Sequence, residues 1–311
     1  MFSFFQRRRA DSGLIALGLQ SGGVCVVRLH WPEGQRPKIL ASEYRPWEDG
    51  ALSERQMNRL AAEFDLKHAR CTTLLDESEY TLLLTEAPDV RPDELKSALR
   101  WRVKGLIDFH INDATLDAFE IPSGDGGKLR EMYVIAARNE AIRRRADALQ
   151  TAGINLEIID IPEMAQRNLA ALLPQDAQGV AVLSFGHRGG LLTLSRQGDL
   201  YLSRNLDVGL DQLRQGESAS GYYDRVVLEV QRSLDYYESH FRQTPVQHLV
   251  LVPPAGQVPG LLEHLRSNLG VTLSAMNLSD LMDIGEVASS NLEGECLFAL
   301  GAALRREEKV L

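Results

Sequence analysis

Hydrophobic residues near the start of the chain fall in short runs separated by turn-forming residues. Residues 14–17, 24–29 and 39–44 are β-rich, with Gln20-Ser21-Gly22-Gly23 and Trp31-Pro32-Glu33-Gly34 between them. The segment therefore reads as a three-stranded meander. The period then lengthens: Leu60 and Phe64, four apart, mark a helix over 53–64, and strands are expected at 71–75 and 80–84. Pro92 opens a helix over 92–106, because its missing N–H costs nothing at the first helical position. Asp93 and Glu94 lie at the positive end of that helix dipole, and Leu95, Ala98, Leu99 and Leu106 share a face. Strands are expected again at 114–121, 132–137 and 156–161, helices at 139–151 and 162–173, and a loop at 122–127. Alternating strands and helices indicate an α/β layer with a parallel component.

Beyond residues 174–179 the opening pattern recurs. Strands are expected at 180–185, 190–195 and 200–205, joined by Gly186-His187-Arg188-Gly189 and Arg196-Gln197-Gly198-Asp199. Placing Gly22-Gly23 on Gly189-Gly190 superposes the two meanders, which indicates an internal duplication. A long helix over 222–241 follows, with Tyr223, Val226, Val230, Leu234, Tyr237 and Phe241 as its core-facing stripe. A strand at 248–252, a helix at 260–269 and an amphipathic helix at 296–305 complete the second half. The expected division is a flexible basic and aromatic tail over 1–12, a first half over 13–178 and a second half over 179–311.

Composition adds limits. The chain has 311 residues, about two domains' worth, with 34 basic and 43 acidic side chains and a net charge of −9. That balance argues against nucleic acid as a partner, since a phosphate-binding surface needs the opposite field. Cys25, Cys71 and Cys296 are far apart, show no metal-ligand spacing and read as reduced thiols of a cytosolic protein. The seven histidines have no HxxxH-type spacing, and no G-x-S-x-G nucleophile elbow is present. Arg143-Arg144-Arg145 reads as a solvated helix face. No apolar run is long enough to span a bilayer. At the N-terminus, Phe2, Phe4 and Phe5 precede Arg7, Arg8 and Arg9, so residues 1–9 read as a frayed tail or a membrane-surface toe.

Two meanders, each opening an α/β half, give a layout that resembles the actin-like ATPase (RNase H-like) fold, and within it the PilM branch. The resemblance covers nearly the whole chain and is closest to the mannose-sensitive hemagglutinin (MSHA) pilus subgroup. It is carried by residues 14–29, by Asp93-Glu94-Leu95-Lys96-Ser97-Ala98-Leu99-Arg100-Trp101 through Leu106-Ile107-Asp108-Phe109, and by Tyr133-Val134-Ile135-Ala136-Ala137-Arg138. Ala152-Gly153-Ile154-Asn155-Leu156, Glu229-Val230-Gln231-Arg232-Ser233-Leu234-Asp235-Tyr236-Tyr237 and Leu249-Val250-Leu251-Val252 continue it. The resemblance implies a subdomain inserted in the first half over about 72–138.

An active member of this superfamily carries an aspartate at each of two hairpin turns, where backbone N–H groups hold phosphates and the carboxylates organise a metal. Here Gly18 and Ser184 stand at those positions. No Asp or Glu occurs between Ser12 and Pro32 or between Ala177 and Gly198. Ser21, Gly22, Gly23, Gly186, Arg188, Gly189 and Gly190 remain as loop remnants. The adenine-side loop reads Pro253-Pro254-Ala255-Gly256, where prolines remove donors. ATP with magnesium is the family ligand, but the missing acids imply a scaffold without metal-assisted hydrolysis, and no cofactor is expected.

The resemblance further implies a protein peripheral to the cytoplasmic side of a bacterial inner membrane. It would take the N-terminal peptide of a PilN-like bitopic protein into a groove beside the inserted subdomain, and contact other platform proteins or the assembly ATPase. Leu99, Val103, Leu106, Ile107 and Phe109 are the expected groove lining, with core packing of the subdomain as the alternative reading of the same residues. The alternatives are an ATPase with displaced catalytic groups, or the cytoplasmic part of a GspL-like type II secretion platform. That last family continues into a membrane helix, whereas this sequence ends at Lys309-Val310-Leu311.

Overall fold

In the computed structural model of the chain, the described residues are 13–48, 53–122, 130–215, 220–252, 258–285, 292 and 294–306. The first part contains β1 (Ile15–Leu19), β2 (Gly23–His30), β3 (Lys38–Pro46), α1 (Glu54–Glu63), β4 (Cys71–Leu74), β5 (Tyr80–Glu86), α2 (Pro92–Val103), β6 (Ala114–Ile121), β7 (Glu131–Arg138), α3 (Asn139–Thr151), β8 (Leu156–Asp160) and α4 (Pro162–Ala170). The second contains β9 (Val180–Phe185), β10 (Gly190–Arg196), β11 (Asp199–Leu206), α5 (Leu210–Leu213), α6 (Ser220–Phe241), β12 (His248–Leu251), α7 (Leu261–Asn268), β13 (Thr272–Ala275), α8 (Leu278–Leu281) and α9 (Leu297–Ala303).

Two five-stranded sheets have matching orders, β3-β2-β1-β4-β8 and β11-β10-β9-β12-β13. In each, the first three strands form an antiparallel meander and the last two join in parallel. This repeated unit is that of the actin-like fold. The registers agree residue by residue at a constant spacing of 166: Gly18 pairs with Cys25 as Ser184 pairs with Leu191. The hairpin loops, residues 20–23 and 186–189, are each closed by one bond, from Gln20 N–H to the Gly23 carbonyl and from Gly186 N–H to the Gly189 carbonyl, both 2.9 Å.

That register corrects the glycine-pair superposition by one residue: Gly23 corresponds to Gly189, and Val24 to Gly190. The glycines serve different neighbours. A Cβ on Gly23 would run into the Arg45 carbonyl and the Tyr44 ring, whereas one on Gly190 would meet the Phe185 ring at 2.7 Å.

Strands β5, β7 and β6 form a separate three-stranded sheet. Helix α2 covers one of its faces through fully buried Leu99 and Val103, packed with Leu116, Met132 and Val134. The helix stops at Val103, where Leu106 N–H turns back to the Val103 carbonyl, so Leu106 leaves the apolar face and is 58% exposed. The opposite sheet face meets the second half through Leu82, Phe119 and Tyr133.

The two halves are joined by α4 and α9. At their crossing a Cβ on Gly301 would collide with the Ala165 carbonyl, and Asn168 Nδ2 donates to the Gly301 carbonyl at 2.9 Å. Helix α9 then returns over β1 and β2, where Cys296 is joined to Cys25 by a disulfide with Cα atoms 5.4 Å apart. The reading of three reduced thiols is corrected here. The cysteines are 271 residues apart, and only the docking of α9 on β2 brings them together. Cys71 is free and buried, and burial pushes its thiol up to about 12.

The arginine run also departs from a solvated face. Arg145 is buried and binds Glu79 at 2.5 Å and Asp76 at 2.8 Å, while Arg144 binds Glu79 at 2.7 Å. The pairing fastens α3 to the β4–β5 corner.

Candidate functional site

Two clefts follow from this architecture. The first lies at the paired hairpins. Gly18 is buried beneath α9: a Cβ there would sit 3.3 Å from the Ala299 Cβ and 3.6 Å from the Cys25 Cβ. Its counterpart Ser184 is also buried, and its hydroxyl donates to Gln166 Oε1 at 2.5 Å. The Gln166 amide in turn donates to the carbonyls of Val182 (2.9 Å) and Leu191 (3.1 Å) and to Thr193 Oγ1 (3.0 Å). Both positions are therefore held in neutral packing.

The loops themselves are tied to their surroundings. Trp47 donates through Nε1 to the Gln20 carbonyl (2.8 Å) and through its N–H to the Gly22 carbonyl (3.1 Å). Leu210 and Asp211 N–H groups donate to the Gly186 and His187 carbonyls at 2.8 and 3.0 Å. Ser21, Gly22 and Arg188 are exposed, and Gly189 is half-buried. None of Gly18, Gly22, Gly23, Gly186, Gly189 and Gly190 has a left-handed φ. His187 faces Asp211 at 3.3 Å and Glu295 at 3.8 Å, and Gln20 donates to the Glu295 carbonyl. The C-terminal segment thus touches both hairpins. Pro253, Pro254, Ala255 and Gly256 lie outside the described residues.

A magnesium–nucleotide group, which the fold implies, does not fit these two positions. Gly18 offers no ligand and Ser184 is already engaged. Among the described residues no group of three or more His, Cys, Asp or Glu is placed to hold a metal ion.

The second cleft is a cavity of about 880 Å³ between two sheet edges. Strand β8 ends the first sheet and β6 ends the inserted one. Both line the cavity, the former with Glu157, Ile158, Ile159 and Asp160, the latter with Thr115, Asp117, Ala118, Phe119 and Glu120. The β10–β11 turn, Leu95 of α2 and the start of α4 complete the wall. Leu75, Ile135, Ile142 and Met164 make it apolar inside, while Arg70–Glu157 (2.7 Å) and Arg305–Asp160 (3.0 Å) are ion pairs at its walls.

Two buried acids border it, Asp160 in its wall and Glu163 on α4. Tyr80 OH donates to Glu163 Oε2 at 2.5 Å, linking the first strand of the inserted sheet to α4. Burial pushes the Glu163 carboxyl up to about 7, against the Tyr80 hydrogen bond that favours the carboxylate. Burial raises Asp160 as well, opposed by Arg305.

The five residues read from sequence as groove lining or subdomain core lie apart from this cavity, four of them in or against the subdomain core. Leu99 and Val103 are interior to the subdomain, and Ile107 and Phe109 pack on that interior. The Arg138 guanidinium covers the Phe109 ring at 4.3 Å. Leu106 faces solvent. None of the five lines the cavity. A helical apolar stripe marks what a helix buries beneath itself; the cavity is made by strand edges, whose position is a tertiary fact without a local signal.

Residues 83–222 match the family model of type IV pilus assembly protein PilM. This span covers most of the inserted sheet, β8, α4 and the second meander. A PilM–PilN type IV pilus biogenesis complex is similar at 22% identity with a TM-score of 0.70, over 94% of this chain and 98% of that one. The cytoplasmic domain of EpsL, an inner membrane component of the type II secretion system of Vibrio cholerae, is similar at 13% identity with a TM-score of 0.53, over 95% and 97%. No helix among the described residues is long and apolar enough to cross a membrane. Over residues 83–222 the chain is therefore PilM-like, and over nearly its whole length it has the actin-like fold shared with these two proteins.

Proposed function

We propose that this protein is a non-enzymatic scaffold of a bacterial type IV pilus assembly platform, of the MSHA (MshI-like) type, at the cytoplasmic face of the inner membrane. It holds the N-terminal cytoplasmic segment of a PilN-like bitopic protein in the cavity between β8 and β6. One observation carries this reading: an apolar-floored cavity bounded by two strands that are sheet edges among the described residues, with most of its lining inside residues 83–222. An extended peptide is the ligand that such edges suit, because its backbone extends the ladder while alternate side chains enter the floor. The plugged hairpins support the non-enzymatic part of the reading. The fold of EpsL's cytoplasmic domain favours a second reading, a type II secretion platform component, with less of the chain's similarity behind it.

The test is calorimetric titration of the full chain with two ligands. A synthetic N-terminal peptide of the PilN-like protein binds, and Ile159→Asp abolishes the binding. Magnesium-ATP gives no heat. Metal-dependent nucleotide binding contradicts the scaffold reading, and peptide binding untouched by Ile159→Asp removes the groove.

A further inference from the structure

Helix α9 touches both clefts, one at each end. At its start, Cys296 is bonded to Cys25 of β2, and neither residue has exposed surface. The preceding Glu295 reaches across both hairpins, accepting from Gln20 through its carbonyl and facing His187 at 3.8 Å. At the other end, the Arg305 N–H donates to the Ala302 carbonyl at 3.2 Å, and the guanidinium pairs with Asp160 of β8 at 3.0 Å. Asp160 and Arg305 both line the strand-edge cavity, with side chains only 2% and 15% exposed. The next residue, Arg306, covers the Trp31 ring at 3.5 Å.

Nine residues separate Cys296 from Arg305, about 13 Å along a helix. Residues 299–304 between them are all buried. At the middle, Gly301 is pressed against the Ala165 backbone and its carbonyl is held by Asn168. That crossing is a pivot. Lifting the start of α9 therefore tilts its end, because a close-packed element transmits displacement along its length.

The cysteine pair gives this lever two states. Bonded, it fixes the start of α9 on β2; as two thiols it leaves only packing there. In a cytosol such bonds are usually transient and redox-sensing, and the setting proposed for this chain is the cytoplasmic face. Both sulfurs are buried, so a dithiol reductant reaches them only when the 294–296 turn lifts from the hairpins. Its thiolate attacks one sulfur, the S–S bond breaks to give a mixed disulfide, and its second thiol then closes a disulfide within the reductant. The protein takes up two electrons and two protons and ends with thiols at Cys25 and Cys296.

We infer that α9 is a lever by which the Cys25–Cys296 bond sets the Asp160–Arg305 wall of the cavity, so that the cavity holds its ligand more tightly when the pair is oxidised than when it is reduced. The direction follows from burial. Asp160 has almost no access to water, so displacing Arg305 leaves a buried acid without its partner and loosens the end of β8, the edge a peptide would extend. Arg305 is thus a positioning residue. The affinity measurement below rests on the peptide reading of the cavity, and the exchange measurement does not.

The experiment uses the full chain, oxidised and after treatment with dithiothreitol, each state confirmed by thiol counting. Without ligand, amide exchange at 156–160 should quicken on reduction by at least about fivefold more than at 190–196 in the other sheet, which registers the general loss of stability; fivefold is the low end of ordinary coupling between sites. The synthetic PilN-like N-terminal peptide should bind the reduced chain at least about fivefold more weakly. A chain carrying both Cys25→Ser and Cys296→Ser should bind like the reduced form, with or without dithiothreitol. Asp160→Asn with Arg305→Gln removes both charges together and leaves no buried ion unpaired, and its affinity should ignore the redox state. Equal affinities of the oxidised and reduced chains overturn the proposal, as does a redox response that survives in Asp160→Asn with Arg305→Gln. If the peptide binds neither form, the peptide reading fails and exchange decides alone: equal gains at 156–160 and 190–196 overturn the lever, and the larger gain at 156–160 upholds it.

Discussion

The hairpin cleft and the strand-edge cavity are both products of the actin-like fold, and they differ in what the chain itself puts into them. At the hairpins, α9 lies over Gly18, Gln166 consumes the Ser184 hydroxyl, and Glu295 touches both loops. Between β8 and β6 the chain leaves about 880 Å³ open, with ion pairs at the walls and a protonatable acid behind them. The lesson is that the Gly18 and Ser184 positions beneath the hairpins are filled by the chain's own packing, whereas the two strand edges border open space.

The largest test of this contrast is Gly18→Asp, which introduces a carboxylate at the end of β1. With Ala299 and Cys25 already at contact distance, the variant buries an unpaired charge and forces α9 outward. A loss of more than about 4 kcal/mol is expected from urea unfolding. An unchanged midpoint together with gained magnesium-ATP binding breaks the contrast.

Next comes the staple. Replacing Cys25 and Cys296 by alanine removes a cross-link closing a 271-residue separation, and about 2–4 kcal/mol should go with it. The same loss is expected when the unmodified chain is unfolded with reductant present, and equal midpoints with and without reductant contradict it.

The cavity side is sharpened by pH. Glu163 titrates near 7 in the folded chain against an ordinary value of 4.5, so the folded state binds more protons between those values. Its contribution is greatest below about pH 4.5 and is lost as pH rises through 7, by up to about 3 kcal/mol. The difference between the chain and Glu163→Gln should carry that slope in denaturant midpoints from pH 5 to 8; parallel curves refute it. The smallest effect belongs to Ser184→Ala, which leaves Gln166 Oε1 without its donor and should cost about 1–3 kcal/mol.

Much of this was legible in the sequence where local patterns decide structure. The meanders, the Pro92 start of α2 and the Tyr223-to-Phe241 stripe of α6 all appear near their expected positions. What escaped has a common cause. The Cys25–Cys296 bond, the burial of Arg145 against Glu79 and the covering of Gly18 by Ala299 join segments distant in sequence. The cavity lining escaped for the same reason, since Ile159 and Phe119 face it only because β8 and β6 end their sheets. Even the duplication was misregistered by one residue, because Gly23 and Gly190 are small for different neighbours.

The central proposal, that the strand edges and not the hairpins take the ligand, is tested most directly by amide hydrogen exchange on the full chain with and without the PilN-like N-terminal peptide. The account predicts slower exchange along β8 and β6 and no change at residues 20–23 and 186–189. Protection at those two hairpins, with β8 and β6 exchanging as before, contradicts it.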